Sequence, residues 1–96
     1  MSDARGRVEG VHAEHDVKFY GLSTCVWCKR TRRYLEETGV AFEFTYLDLL
    51  KGDERAEALG IVKKWNPAGT FPTTVIDSEK SVTGFSPDEL KQALGL

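Results

Sequence analysis

Hydrophobic and polar positions alternate along this chain with two different periods. Residues 16–22 (DVKFYGL) and 41–49 (AFEFTYLDL) alternate every second residue, as a β-strand with one buried face does. Two shorter stretches, residues 72–77 (PTTVID) and 81–84 (SVTG), are separated by a polar turn. The pattern predicts four strands, of which the last two form a hairpin.

Helical periodicity fills the intervals between these strands. The first helix begins at the cysteines and ends at Gly39, a residue suited to left-handed backbone. The second begins at Asp53 as N-cap, and its apolar stripe is Ala58, Ile61, Val62 and Trp65. The third has Ser86 as N-cap and Pro87 as its first residue.

The predicted order is βαβαββα, which indicates an α/β fold. The strand–helix–strand opening implies a parallel pair, and the later hairpin makes the four-stranded sheet mixed, with three helices on its faces. We expect one domain over residues 16–96, because 96 residues are too few for two cores. The polar residues 1–15 predict a flexible tail.

Composition and charge exclude several classes of protein. A formal net charge of −2 gives no general attraction to nucleic acid or anionic membranes. No apolar run approaches the ~20 residues that span a bilayer. Residues 1–15 lack the apolar block of a secretion signal, so we expect a cytoplasmic location.

The chemistry concentrates in the two cysteines, Cys25 and Cys28, at the junction of the first strand and the first helix. The free N–H groups and the dipole of a helix start stabilise a thiolate and lower its pKa. Lys29 adds positive charge there. We therefore predict Cys25 as the nucleophile and the sheltered Cys28 as the thiol that resolves a mixed disulfide.

Two other interpretations of this pair stay open on the residues alone. The cysteines could be buried thiols without chemistry. They could also bind structural zinc with His12 and His15, although the short spacing and the intervening strand argue against this. We predict a redox pair with no metal.

The chain resembles the glutaredoxin family of the thioredoxin-like fold from about Val17 to Leu94. Three motifs carry the resemblance: FYGLSTCVWC (residues 19–28), TFPT (residues 70–73) and TGFSPDEL (residues 83–90). The order of elements agrees as well. The resemblance implies a thiol–disulfide oxidoreductase that acts on protein disulfides or glutathione mixed disulfides, and we expect a monomer.

The same resemblance implies the residues that bind substrate. The proline of the TFPT motif is cis in the family, which would expose the backbone of the residue before it. The implied substrate- or glutathione-binding residues are Trp27, Thr70, Phe71, Pro72, Gly84, Phe85 and Ser86.

Several positions differ from the family pattern. Leu22 stands where many members have a lysine that holds a glutathione carboxylate, and Phe85 replaces a glycine. Pro87 removes a backbone donor, and Val26 replaces the usual proline between the cysteines. Weak glutathione binding is therefore expected.

The source of electrons stays open at this point, because GFSPDEL is similar to small redoxins that serve ribonucleotide reductase. We expect no tightly bound cofactor, with either glutathione as co-substrate or thioredoxin reductase as donor. The alternative from another class is an iron–sulfur cluster held by Cys25 and glutathione between two chains.

Overall fold

The computed structural model describes residues 3–96, which form five strands and three α-helices. The elements in chain order are β1 (Arg5–Val8), β2 (Val17–Gly21), α1 (Val26–Glu37), β3 (Phe42–Tyr46), α2 (Gly52–Trp65), β4 (Thr73–Ile76), β5 (Lys80–Thr83) and α3 (Pro87–Leu94). A 3₁₀ turn at Leu47–Leu49 follows β3, so the second predicted strand is shorter than its alternating pattern.

The strands form one mixed sheet in the order β1-β3-β2-β4-β5. Strands β2 and β3, joined through α1, are parallel, and the β4–β5 hairpin is antiparallel. Both relationships were predicted from the order of elements, and the α/β class with three helices is confirmed.

The fifth strand corrects the predicted count of four. Strand β1 lies within residues 1–15, the segment predicted to be a flexible tail, and it pairs antiparallel with β3. Residues 1 and 2 of that predicted tail lie outside the described residues. A Cβ on Gly6 would lie 2.6 Å from Phe44 Cζ, so the glycine permits this close approach. Backbone pairing to an open sheet edge leaves little trace in side-chain pattern, which explains why β1 was missed.

Neighbouring side chains of a strand point to opposite faces of the sheet, and helices cover both faces. On one face, Phe19 and Phe42 are fully buried against Leu35 of α1 and Leu90 of α3. The opposite face is covered by α2 and carries Tyr20, Leu47, Leu50, Ala58, Val62 and Val75. The cysteine-bearing end of α1 is thus supported by the first core.

The start of α2 differs from the prediction. The helix begins at Gly52, which has φ +58°, and Lys51 occupies the N-cap position without a side-chain hydrogen bond. Asp53 is therefore inside the first turn, where its carboxylate faces the positive end of the helix dipole. Ile61 of the predicted stripe is 38% exposed, because it faces a cleft lined by polar sheet residues such as Lys18 and Glu43.

Two other predictions concern helix ends and membranes. Gly39 has φ +73° directly after the C-cap of α1, as predicted. Within residues 3–96, every helix is too short or too polar to cross a lipid bilayer.

Candidate active site

Cys25 is the N-cap residue of α1. Its backbone is extended, with φ −84° and ψ 122°, and its Sγ accepts a hydrogen bond of 3.3 Å from the Cys28 N–H. A side-chain acceptor at this position satisfies one of the free amides of the first turn, a task that oxygen atoms usually perform. Cys25 is partly exposed, so its sulfur combines backbone stabilisation with access from solvent.

Cys28 lies one turn further along α1 and is only 1% exposed. Its Sγ accepts a hydrogen bond of 3.4 Å from the backbone N–H of Leu22. Burial, followed by the hydrogen bond with Cys25, raises the pKa of the Cys28 thiol to about 12. Cys28 is therefore a protonated, sheltered thiol at neutral pH.

Gly21 makes room for the buried sulfur. A Cβ at Gly21 would lie 3.1 Å from Cys28 Sγ and 2.9 Å from Phe19 Cζ. This glycine was not among the predicted site residues. A glycine inside a strand pattern is a known sign of close approach by another group, and that sign was present here.

The loop of residues 70–72 is held by Asn66, a buried residue at the end of α2. The Asn66 side-chain amide donates to the carbonyl and the hydroxyl of Thr70, at 3.1 and 2.9 Å, and to the Thr73 hydroxyl at 3.2 Å. The Phe71–Pro72 peptide bond is cis. No motif in the sequence indicated that Asn66 fixes this loop.

Trp27 and Phe85, two predicted site residues that are far apart in the sequence, contact each other in the structure. Trp27 of α1 and Phe85, before α3, stack with ring centroids 6.2 Å apart and planes inclined by 26°. Together with Phe71 and Gly84 they line an open groove of about 310 Å³. Trp27 remains 53% exposed, which leaves an aromatic surface between the two cysteines of the first turn of α1.

Ser86 does not join this groove. It occupies the N-cap position of α3, as predicted, and its carbonyl accepts from Leu90 N–H at 3.0 Å. Its side chain makes no capping hydrogen bond, which differs from the predicted cap. The backbone of Ser86 (φ −133°, ψ 87°) departs from ordinary extended geometry, and Pro87 offers no N–H.

Lys29 lies on the opposite side of α1 from that aromatic groove. It lines a separate cavity of about 340 Å³ with Ser23, Arg32 and Tyr46. Among residues 3–96, neither Lys29 nor Arg30 forms an ion pair, whereas the next two arginines pair with glutamates one turn later. The electrostatic effect of Lys29 on Cys25 stays a prediction.

The histidines of the zinc alternative have other surroundings. His15 Nδ1 lies 2.7 Å from Asp77 Oδ2, and His12 lies 3.6 Å from Glu14. Within residues 3–96, the structure brings together no group of three or more His, Cys, Asp or Glu side chains suited to a metal ion.

Asp48, in the 3₁₀ turn after β3, contacts the loop that leads to Cys25. The Ser23 N–H donates to Asp48 Oδ1 at 2.9 Å, and the Ser23 hydroxyl donates to Oδ2. Burial raises the pKa of Asp48, but the two hydrogen bonds from Ser23, a further backbone hydrogen bond and the charge of Arg55 together lower the pKa overall. The contact joins residues 25 positions apart, and no sequence motif indicated it.

Comparison with known proteins adds independent information. The family model described as Glutaredoxin matches residues 17–80. A glutaredoxin from Methanosarcina mazei Go1 is 45% identical with a TM-score of 0.92, over 98% of this chain and 90% of that chain. Methanoredoxin from Methanosarcina acetivorans is 40% identical with a TM-score of 0.90, over 95% of this chain and 96% of that chain.

A third solved structure is more distant. The glutaredoxin-like NrdH-redoxin from Escherichia coli is 29% identical with a TM-score of 0.60, over 80% of this chain and 92% of that chain. No curated protein matches the sequence. The matched residues include both cysteines, all of α1 and the loop of residues 70–72. The chain belongs to the glutaredoxin family and has its thioredoxin-like fold.

Proposed function

We propose that this protein is a dithiol thiol–disulfide oxidoreductase that works through Cys25 and Cys28. The observation that carries the proposal is the inequality of the two sulfurs. Cys25 is partly exposed and caps a helix through its Sγ, whereas Cys28 is buried next to it. An accessible thiol beside a sheltered one is what a two-step exchange requires.

The proposed reaction has two exchanges. Cys25 Sγ, as the thiolate, attacks one sulfur of a substrate disulfide, forms a mixed disulfide and releases the first substrate thiolate. Cys28 Sγ then attacks the Cys25 sulfur, loses its proton to the medium and releases the second thiolate. The substrate disulfide gains two electrons, and the protein is left with a Cys25–Cys28 disulfide.

The groove lined by Trp27, Phe71, Gly84 and Phe85 is the proposed substrate surface. Trp27 and Phe85 offer flat apolar rings, and the Phe71 backbone offers polar groups to an extended chain. Thr70 and Pro72 complete the loop that Asn66 fixes. We place Ser86 outside the contact surface, since it does not line this groove.

The proposal also specifies the electron donor. Leu22 packs against the core of the α2 side, and Phe85 stacks on Trp27, so the two positions that favour glutathione in other members carry apolar groups here. The E. coli relative is described as a glutaredoxin-like protein with a thioredoxin-like activity profile. We propose thioredoxin reductase as the better donor and glutathione as a weak co-substrate.

A coupled assay tests the proposal. The oxidised protein is mixed with NADPH and either thioredoxin reductase or glutathione plus glutathione reductase, and NADPH loss is followed. We expect turnover, faster with thioredoxin reductase, and none for Cys25→Ser. Turnover with neither donor, or full activity of Cys25→Ser, would contradict the function; faster turnover with glutathione would contradict only the donor.

The iron–sulfur alternative requires bound glutathione as well as Cys25. The residues present fit glutathione poorly at Leu22 and Phe85, so the cluster fits poorly for the same reason. We expect a colourless protein after anaerobic purification, and a visible absorption band would restore the alternative.

A further inference from the structure

The segment between β2 and Cys25 is anchored by a carboxylate from the turn after β3, which lies at the same end of the sheet because β2 and β3 are parallel. Asp48 receives the Ser23 N–H on one carboxylate oxygen, at 2.9 Å, and the Ser23 hydroxyl on the other. Two hydrogen bonds to one charged group fix orientation as well as distance.

The anchored segment also carries a donor to the dithiol centre. Leu22, the residue before Ser23, donates its N–H to Cys28 Sγ at 3.4 Å. Its carbonyl accepts the Cys25 N–H at 3.2 Å, which closes the turn. A rotation of the peptide between Leu22 and Ser23 would move the carbonyl that receives the Cys25 N–H, and the Asp48 contact with the Ser23 N–H of the same peptide opposes that rotation. The neighbouring Gly21–Leu22 peptide carries the donor to Cys28.

The charge of Asp48 adds a second effect. Burial and the hydrogen bond with Cys25 are the larger causes of the raised pKa of Cys28, and the Asp48 carboxylate raises it further. A negative charge nearby disfavours a second negative charge on sulfur. The anchor and the charge act through the same side chain.

We propose that Asp48 is a positioning residue of the dithiol centre, which holds the Leu22–Cys25 turn through Ser23 and adds a negative charge to the surroundings of Cys28. The inference rests on the proposed function only in taking Cys25 and Cys28 as an exchanging pair. Asp48 touches neither sulfur, so its influence is transmitted by the turn and by its charge.

Two variants separate the two effects. Asp48→Asn keeps the shape and an oxygen for the Ser23 N–H but removes the charge, and Ser23→Ala keeps the charge but removes the hydroxyl bond. Asp53→Asn is the matched control, because it removes one carboxylate from the first turn of α2, away from the dithiol. Thermal unfolding of each variant reports whether it folds.

The first readout is the equilibrium between the dithiol and the disulfide, titrated against dithiothreitol. Loss of the charge favours the Cys28 thiolate, so Asp48→Asn should shift this equilibrium toward the dithiol in titrations at alkaline pH, where that thiolate forms, and leave it in place at neutral pH. The rate at which Cys28 resolves a mixed disulfide should also rise at lower pH than in the wild type. Asp53→Asn should leave both unchanged.

The second readout is amide hydrogen exchange at Leu22 and Cys28. Ser23→Ala should raise both exchange rates several-fold and leave the pH profile of the resolving step in place. A merely structural Asp48 would lower the unfolding temperature in both variants without moving the equilibrium or the profile.

The proposal is overturned if Asp48→Asn behaves as Asp53→Asn in the dithiothreitol titration at alkaline pH, or if Ser23→Ala leaves the amides as protected as before. Should Asp48→Asn fail to fold, the exchange data on Ser23→Ala decide. These measurements need no physiological partner. Failure of the proposed function is distinct, since it would show as absence of turnover by the wild type with both donors.

Discussion

The backbone N–H of Cys28 points at the sulfur of Cys25 across 3.3 Å, so the two thiols share one helical turn. Their environments nevertheless differ, because Cys25 is partly open to solvent and Cys28 is 1% exposed. The helix start places a backbone donor on the first sulfur, and the core covers the second. This difference supports the two roles that we propose, with Cys25 as the nucleophile and Cys28 as the resolving thiol.

Replacing Gly21 with alanine tests how tightly Cys28 is enclosed. The added Cβ would meet Phe19 and Cys28, at 2.9 and 3.1 Å, so Gly21→Ala should lower the free energy of unfolding by about 1–3 kcal/mol. Gly60→Ala is the control, because nothing lies within 4 Å of a Cβ there and alanine favours helix by about 1 kcal/mol. Urea unfolding measures both; a neutral Gly21→Ala would contradict the close contact.

Asn66→Ala should loosen the loop of residues 70–72. It removes three hydrogen bonds, one of them to the buried Thr73 hydroxyl, at a cost of about 1–3 kcal/mol in stability. The KM for a disulfide substrate should rise with it. Ser81→Ala, which removes only a 3.4 Å bond to Trp65, should change neither quantity. Equal effects of the two variants would remove the special role of Asn66.

Truncating Trp27 tests the proposed substrate groove. An aromatic or apolar substrate group packed on the exposed Trp27 ring would gain about 0.5–1.5 kcal/mol, so Trp27→Ala should raise KM roughly threefold to tenfold while kcat changes little. Ile61→Ala truncates another exposed apolar residue in a different cleft and serves as control. Steady-state kinetics that show a fall in kcat at constant KM would contradict a binding role.

The raised pKa of Cys28 predicts alkaline instability of the reduced protein. The folded-state pKa of Cys28 is about 12, above the ordinary 9.0, so the unfolded chain ionises this thiol at lower pH than the folded protein does. The contribution of Cys28 to the free energy of unfolding is therefore fully present below pH 9.0 and is lost as the pH rises toward 12. By about pH 10.5 the loss should be about 2 kcal/mol relative to neutral pH. Cys28→Ala, which keeps every tyrosine and lysine, should lose less stability over the same range, and an identical decline would contradict the assignment.

Much of the fold follows from sequence because its elements carry a local pattern. The alternation around Phe42, Phe44 and Tyr46 predicted β3, and the interval between the cysteines and Gly39 predicted α1. The spacing of Cys25 and Cys28 at a strand–helix junction indicated the centre of the site. In each of these cases the deciding residues lie within one element.

The remainder depends on contacts between distant residues. Strand β1 exists because β3 offers an open edge and Gly6 fits under Phe44, neither of which is visible in RGRV itself. The Ser23–Asp48 contact joins two loops that the fold alone brings together. At Ser86 the local pattern predicted too much. It correctly indicated the N-cap position of α3, but the Ser86 side chain makes no capping hydrogen bond.

Limited alkylation of the fully reduced protein, near neutral pH, tests the central claim most directly. Less than one equivalent of iodoacetamide is added, and tandem mass spectrometry locates the label within the peptide that contains both cysteines. The account predicts label on Cys25 with Cys28 unmodified until the protein is unfolded. Label on Cys28 first, or equal label on both, would contradict it.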